Sequence, residues 1–236
     1  MSNQYHSATP ALSHKNLRHR NFTIRHFKST ITRYVESGYQ FVRFSDVLGA
    51  HNLPRKMVIL RHDIDVDPAI ARKMFDAEIE LGIRSNVFVR TNAQTYNIDE
   101  VGSANLISFL KNHDFEIGIH LDISLDREAP NTPFDQQVAR FAKASGISTF
   151  GMSTHKPAQL GNRLITATAK KLGLTYEAYN KQFTTEFKYI SDSSRHWREG
   201  CFCQWINVVD RLQILIHPVW WRRGSAKIVD WVNNSI

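Results

Sequence analysis

Residues 58–68 read VILRHDIDVDP, and the reading of the fold starts from them. The run opens inside a short apolar strand, MVIL at 57–60, and then packs Arg61, His62, Asp63, Asp65 and Asp67 into seven positions. Side chains on a strand alternate between faces, so Asp63 and Asp65 project to the same side at its C-terminal end. His62 falls on the opposite face, where packing between sheet and helix is its expected role. Asp67 followed by Pro68 reads as an N-cap with proline at the first helical position. The helix begun there carries Ile70, Met74, Ala77 and Leu81 on one face and stops at Gly82.

The same alternation continues in both directions. Upstream, Phe27, Ile31, Tyr34 and Val35 form a helical stripe that ends at Ser37-Gly38. Downstream, strands are predicted at 86–90, 115–120, 149–155, 174–178, 187–191 and 212–217, and helices at 99–112, 134–144, 163–172 and 223–234. Strands alternating with helices, without repeats or low-complexity linkers, predict an α/β fold with a parallel sheet that suits a closed or nearly closed barrel.

In such a barrel the C-terminal strand ends converge on one rim, where active sites are built. Here those ends carry Arg90, His120, His155 and His217, with Asp192 just after the sixth strand and Glu177 near the fifth as a loop-facing carboxylate. A single histidine at a strand end reads as a hydrogen-bonded surface residue. Three of them beside two same-face carboxylates read as a metal-hydrolase site, because Asp and neutral His suit Zn²⁺ or a similar divalent ion with one position left open for water.

Composition bounds the alternatives. A chain of 236 residues, 42% hydrophobic, is expected to bury one core as a single domain. No apolar run approaches the roughly 18 residues a membrane span needs, and the start, MSNQYHSATPALSHKNLRHRNF, lacks the apolar stretch of a secretory signal, so a soluble cytoplasmic protein is expected. Cys201 and Cys203, two apart, suit neither a disulfide framework nor a four-ligand zinc cage and read as reduced bystanders. A formal charge of +8 favours an anionic partner, although much of the excess lies near the N-terminus, where residues 1–22 read as a flexible basic arm. No zinc-finger spacing and no RNP-type aromatic signature is present, which argues against nucleic acid. Trp197, Trp220 and Trp221 read either as rings that stack on sugar faces or as a roof over the barrel mouth or an oligomer contact.

These residues carry a resemblance. RHDIDVDP with the following AIARKMFDAEIELGIRSNVFVR resembles the first motif of the NodB-like polysaccharide deacetylases, carbohydrate esterase family 4, in the D-x-D form of divergent members. EIGIH at 116–120 resembles the second motif, HKP at 155–157 falls where the third is expected, SDSSRHW at 191–197 resembles the fourth and LIHPVWW at 215–221 the fifth. The match runs in order from about residue 27 to residue 222 and is most similar to the divergent WbmS-type branch found in surface-polysaccharide gene clusters.

The resemblance implies a distorted seven-stranded (β/α) barrel of the glycoside hydrolase/deacetylase type. It implies one divalent metal, Zn²⁺ with Co²⁺ or Mn²⁺ as alternatives, and removal of an acetyl group from an N-acetylated sugar or glycan precursor. A nucleotide- or lipid-linked precursor of a surface polysaccharide would suit the positive charge. Carried across, Asp63 is the general base, Asp65 and His120 are metal ligands, and His217 is the general acid. Arg61, Arg90, Asp122, Asp192 and Trp197 support these groups or face the sugar.

One departure stands out. The family pattern places a second metal-binding His four positions after the first, and here His120 is followed at that position by Ser124. His155 is the first choice to complete the site because it closes a strand on the same rim, with Asp122 and His62 behind it. Alternatively His155 replaces the arginine that many members carry in the third motif and orients Asp63. A reading from a different class is a metal-free, non-catalytic barrel that binds a glycan or a partner protein, since fold alone does not fix function. A third keeps the metal and changes the bond, because related barrels also hydrolyse cyclic amides.

Overall fold

A computed structural model of the chain describes residues 22–91, 93–122, 133–157 and 162–222. The N-terminal basic stretch up to residue 21, the position of Ser124 and the helix expected at 223–234 lie outside the described residues. The elements run α1 (Ile24–Glu36), β1 (Gln40–Phe41), α2 (Phe44–Val47), β2 (Met57–Ile64), α3 (Pro68–Glu80), β3 (Asn86–Val89) and α4 (Val101–Asn112). They continue with β4 (Glu116–Asp122), α5 (Phe134–Ser145), β5 (Met152–His155), α6 (Asn162–Lys171), α7 (Lys181–Thr185), β6 (Lys188–Ser191) and β7 (Arg211–Ile216).

Every ladder is parallel, and the strand order is β5-β4-β3-β2-β7-β6. The opening stretch is the centre of this sheet. All eight residues of β2 are buried, so the strand extends through Arg61, His62 and Asp63 rather than ending at Leu60. β7 takes one edge of β2 from Met57 to His62, β3 takes the other from Arg61 onward, and the two-residue β1 pairs with Met57 and Val58. Because β7 already holds its edge at those positions, β1 sits on the β3 side, below the start of β3.

Alternation along the strands splits the core into an inside and an outside. Met57 and Ile59 of β2 and Phe88 of β3 point into the curl of the sheet, where they meet Phe44, Tyr176, Phe183 and Phe187. Val58 and Leu60 point outward and pack with Phe27, Ile31 and Tyr34 of α1 and with Trp205 and Trp220. Ile64, Val87, Val89, Ile117 and Ile119 pack against Ala71 and Phe75 of α3 and Leu106 and Leu110 of α4. Burial on both faces is why these strands read as continuous apolar runs. The bottom of the curl is plugged by Phe44, whose ring stacks on Tyr176 at 4.9 Å and whose backbone N–H donates to Asn86 Oδ1 at 2.9 Å.

The α3 cap is as predicted: Asp67 accepts from the Ala69 N–H at 2.8 Å and Pro68 occupies the first turn. His62 faces outward and its Nε2 lies 2.6 Å from Glu78 Oε1 of α3, so it ties helix to sheet.

The segment expected as a fifth strand, 174–178, is corrected. Among the described residues it makes one isolated parallel bridge, Met152 to Glu177. Glu177 does not face a loop. It is buried, accepts from the Tyr179 N–H at 2.7 Å and from Thr166 Oγ1 at 2.9 Å, and this turns the chain towards α7 before a strand can develop. The seventh strand of the sheet is instead β1. The fold is therefore a curled, distorted seven-stranded α/β half-barrel. Among the described residues no ladder joins 174–178 to β6, and the Gln213 amide of β7 spans the opening by donating to the Ala178 carbonyl at 2.7 Å. No helix among the described residues is long and apolar enough to cross a membrane.

Candidate metal and catalytic site

The C-terminal ends of β2, β4, β5 and β7 deliver their side chains to one point. Three atoms form a nearly equilateral triangle: Asp65 Oδ1 to His120 Nε2 is 3.1 Å, Asp65 Oδ1 to His155 Nδ1 is 3.3 Å, and His120 Nε2 to His155 Nδ1 is 3.2 Å. All three residues are buried, and they form a group able to hold a cation. Tetrahedral Zn²⁺, with ligand bonds of roughly 2.0–2.2 Å, separates neighbouring donors by roughly 3.3 Å, so the spacing fits. Asp65 Oδ1 is moreover buried without a hydrogen-bond partner, a costly state that a cation relieves.

Register explains how this triangle forms. His120 pairs with Ser153, and Asp122 pairs with His155. Ser153 therefore lies beside His120, with His155 two residues further along the same face. His120 Nδ1 lies 2.6 Å from Ser153 Oγ, and Ser153 Oγ donates to Asp63 Oδ1 at 3.2 Å. With the hydroxyl proton directed to Asp63, Ser153 accepts from His120 Nδ1–H, and His120 Nε2 presents a lone pair to the triangle. A neighbour that fixes the tautomer of a ligating imidazole in this way is a usual part of a metal centre.

Asp63 sits beside the triangle. Arg61, on the same face of β2, donates from Nη2 to Asp63 Oδ2 at 2.8 Å and from the same nitrogen to Tyr179 Oη at 2.8 Å, with its guanidinium stacked 4.6 Å from the Tyr179 ring. Orientation of Asp63 thus comes from Arg61 and Ser153, not from His155. Burial pushes the Asp63 carboxyl up, but Arg61, His120 and His217 outweigh it and hold the group below its ordinary value, as a carboxylate. Burial acts likewise on Asp65 and is outweighed by His120 and His155, which leave it well below the usual range. Burial dominates at His155 and pushes its imidazole down, towards the neutral form a ligand needs.

His217 approaches from the other side, its Nε2 3.6 Å from Asp65 Oδ2. Its Nδ1 lies 2.7 Å from Asp192 Oδ1, and Asp192 also accepts from the His217 backbone N–H at 3.0 Å and from Trp221 Nε1 at 2.8 Å. Burial alone would lower the imidazole. Asp192, with Asp65 and Asp63 beyond it, reverses that and raises His217 to about 9.

The groups open into a pocket of about 600 Å³, lined among others by Asp63, Asp65, His120, His155, Tyr179 and His217. Arg61, Arg90, Asp122 and Asp192 are not in the lining but behind it. Arg90 pairs with Asp122 at the ends of β3 and β4, and the Asp122 backbone is clamped by the Gln137 side chain through two bonds of 2.9 Å. Trp197 is not among the residues that line the pocket, although Ser193, Ser194, His196 and Arg198 beside it are. It stacks on Phe202 at 5.6 Å and on Phe22 at 6.2 Å, in the aromatic packing around α1. Trp220 and Trp221 are buried rather than displayed on a sugar-binding surface.

Two contributors escaped the sequence reading. Ser153 was detectable as the residue two positions before His155 on the same strand face. Tyr179 follows a segment wrongly read as a strand and gave no signal.

The fold and this rim define the class: a parallel α/β half-barrel with a buried Asp-His-His group at the C-terminal strand ends. No family model matches the sequence, and no curated protein matches it. Among solved structures, IcaB from Ammonifex degensii superimposes with a TM-score of 0.53 at 17% identity, covering 93% of each chain. A mutant of BA3943, described as a CE4 family pseudoenzyme, reaches 0.50 at 9% identity over 78% of this chain and 62% of that one. The chitin deacetylase from the fungal pathogen Colletotrichum lindemuthianum reaches 0.49 at 15% identity over 75% of this chain and 81% of that one. At these identities the likeness establishes the fold alone, the one shared with IcaB and with the CE4 family pseudoenzyme.

Proposed function

We propose that the protein is a metal-dependent deacetylase that removes the acetyl group from an N-acetylated sugar in the assembly of a surface polysaccharide or lipopolysaccharide. The observation that carries this is the triangle of Asp65, His120 and His155, 3.1–3.3 Å on a side, flanked by Asp63 and His217 at the mouth of one pocket. In this reading His155 supplies the third ligand, which the spacing of the triangle supports. Zn²⁺ suits one carboxylate and two imidazoles, with Co²⁺ and Mn²⁺ as substitutes. When bound, such a cation supplies Lewis acidity that makes water a stronger acid and polarises an amide carbonyl.

The chain's own residues do the rest. Asp63, kept ionised by Arg61, accepts a proton from the attacking water at the oxygen lone pairs that Arg61 and Ser153 leave free. His217, kept protonated by Asp192, donates from Nε2 to the departing amine nitrogen. A carboxylate held low and an imidazole held high, lining one pocket, is the division of labour that base-then-acid hydrolysis needs. Burial of Asp65, His120 and His155 excludes bulk water from the far side of the site.

The test is metal content together with acetate release. Protein purified without chelator should hold Zn²⁺, and Asp65→Ala or His120→Ala should hold about one equivalent less. Asp63→Asn should keep the metal while losing roughly 10²- to 10⁴-fold in the rate of acetate release from N-acetylhexosamine derivatives. A Zn²⁺ content in Asp65→Ala and His120→Ala equal to that of the wild type would refute the site. A metal-loaded protein that opens cyclic amides and releases no acetate would refute the substrate. A protein that takes up no metal on reconstitution would instead be a glycan- or partner-binding barrel.

A further inference from the structure

A second cluster of ligand atoms lies away from the barrel rim. His26 in the first turn of α1, Cys201 and Cys203 bring one imidazole nitrogen and two sulfurs within 4.8 Å of one another, and His26 Nε2 is 3.2 Å from Cys201 Sγ. Both thiols are free. Cys201 is buried, and Cys203 and His26 are half-buried. We propose that His26, Cys201 and Cys203 form a second cation site, separate from the Asp65 site, that takes a thiophilic d¹⁰ cation, Zn²⁺ or Cu⁺.

Three observations carry it. The spacing is close: Zn–S bonds of about 2.3 Å and Zn–N bonds of about 2.0–2.1 Å place donors roughly 3.5–3.8 Å apart, against 3.2 Å between His26 Nε2 and Cys201 Sγ and no more than 4.8 Å between any two of the three atoms. The donor set is soft, and two thiolates with one imidazole satisfy Cu⁺ as a three-coordinate ion or Zn²⁺ with one position open. A spacing of two residues between the cysteines cannot build a four-cysteine cage, but it can supply two ligands when a third arrives from elsewhere, and His26 is 175 residues away from Cys201 along the chain.

The third observation is that the cluster is held in place on all sides. Thr23 caps α1 by accepting the His26 N–H at 3.1 Å, which fixes the backbone from which the imidazole projects. The Trp221 ring lies parallel to the imidazole, 2° between planes at 6.4 Å, and Phe202 meets it edge-on at 5.9 Å. The loop carrying the cysteines is pinned by Tyr34 Oη donating to the Phe202 carbonyl at 2.7 Å and by Trp205 Nε1 donating to the Glu199 carbonyl at 3.2 Å. Gly200, just before Cys201, sits at φ +84°, a left-handed conformation that other residues resist. Donors preset by such packing lose little freedom on binding a cation.

The experiment uses cobalt as a spectroscopic probe on the full chain, stripped of metal and kept in a non-thiol reductant. Both proposed sites accept Co²⁺, but only thiolate ligation gives the intense near-ultraviolet sulfur-to-cobalt charge-transfer band. The band should appear in the wild type and in Asp65→Ala, and it should be lost in Cys203→Ser and strongly weakened in His26→Ala. Cys203→Ser should also retain about one equivalent less Zn²⁺ than the wild type. A parallel competition against a chromogenic Cu⁺ chelator identifies which of the two cations the cluster prefers. Cys203 and His26 are half-buried, so these variants are chosen over Cys201→Ser, and circular dichroism confirms that they fold. Absence of the band in the wild type, or a band and Zn²⁺ content unchanged in Cys203→Ser, would overturn the proposal. Because Asp65→Ala tests the rim site alone, failure of one site is distinguishable from failure of the other.

Discussion

Asp192 accepts from the His217 imidazole at 2.7 Å, the His217 backbone N–H at 3.0 Å and the Trp221 indole at 2.8 Å, and it has no exposed surface. Its hydrogen bond and its charge are the largest of the effects that raise His217 to about 9 against burial, with Asp65 and Asp63 adding to them. Replacing it with the isosteric amide, Asp192→Asn, removes the charge and keeps the shape, so the His217 pKa falls. A general acid works while protonated, and activity is lost as pH rises through its pKa. The alkaline limb of kcat/KM should therefore move to lower pH by about one to three units in the variant. An unmoved limb would assign the acid to another group. At this scale the sequence revealed the charged groups, because Asp63 and Asp65 obey the two-residue period of a strand and the histidines close strands. It did not reveal that Arg61, rather than His155, would orient Asp63. The same period placed Arg61 on the right face, but the choice between the two depended on a register between β4 and β5 that spacing does not encode.

At the scale of elements, the approach of β4, β5 and the 175–178 segment depends on two residues without side chains. A Cβ on Gly151 would fall 2.1 Å from the Tyr176 ring, and one on Gly118 would fall 2.6 Å from the Gly151 carbonyl oxygen. Tyr176 cannot retreat freely, because its hydroxyl donates to Glu116 and its ring stacks on Phe44. Gly151→Ala should accordingly destabilise the protein by about 1–3 kcal/mol, the usual range for overpacking a filled core. Urea unfolding measures this, and a change within about 0.5 kcal/mol would mean that Tyr176 is not fixed as described. The helices α1, α3, α4 and α5 were legible because their apolar periods run for three turns or more. β1, with two residues, and α2, with four, are too short to show a period at all. The 174–178 segment has the composition of a strand, and what overrides it is the side chain of Glu177 folding back onto the backbone N–H of Tyr179.

For the molecule as a whole, the arrangement of strands predicts an uneven distribution of stability. β2 is paired on both edges, buried on both faces, and common to the interior and exterior parts of the core. The 175–178 segment is held to Phe150 and Met152 by three backbone hydrogen bonds, and no ladder extends from it to β6 among the described residues. Amides buried at the centre of a cooperative unit exchange with solvent only through global unfolding, whereas edge segments open locally. Native-state hydrogen exchange should therefore find the amides of β2 the most protected in the chain, with those of residues 175–178 exchanging orders of magnitude faster. This difference bears on the proposed chemistry. Asp63 lies on the central strand and Asp65 just past its end, which would keep the proposed base and ligand within the narrow tolerance such a site requires. Tyr179, by contrast, follows an edge segment rather than the central strand. Exchange from β2 as fast as from 175–178 would show that the sheet is not organised around its central strand, and the rigidity on which the positioning of Asp63 and Asp65 depends would be lost with it.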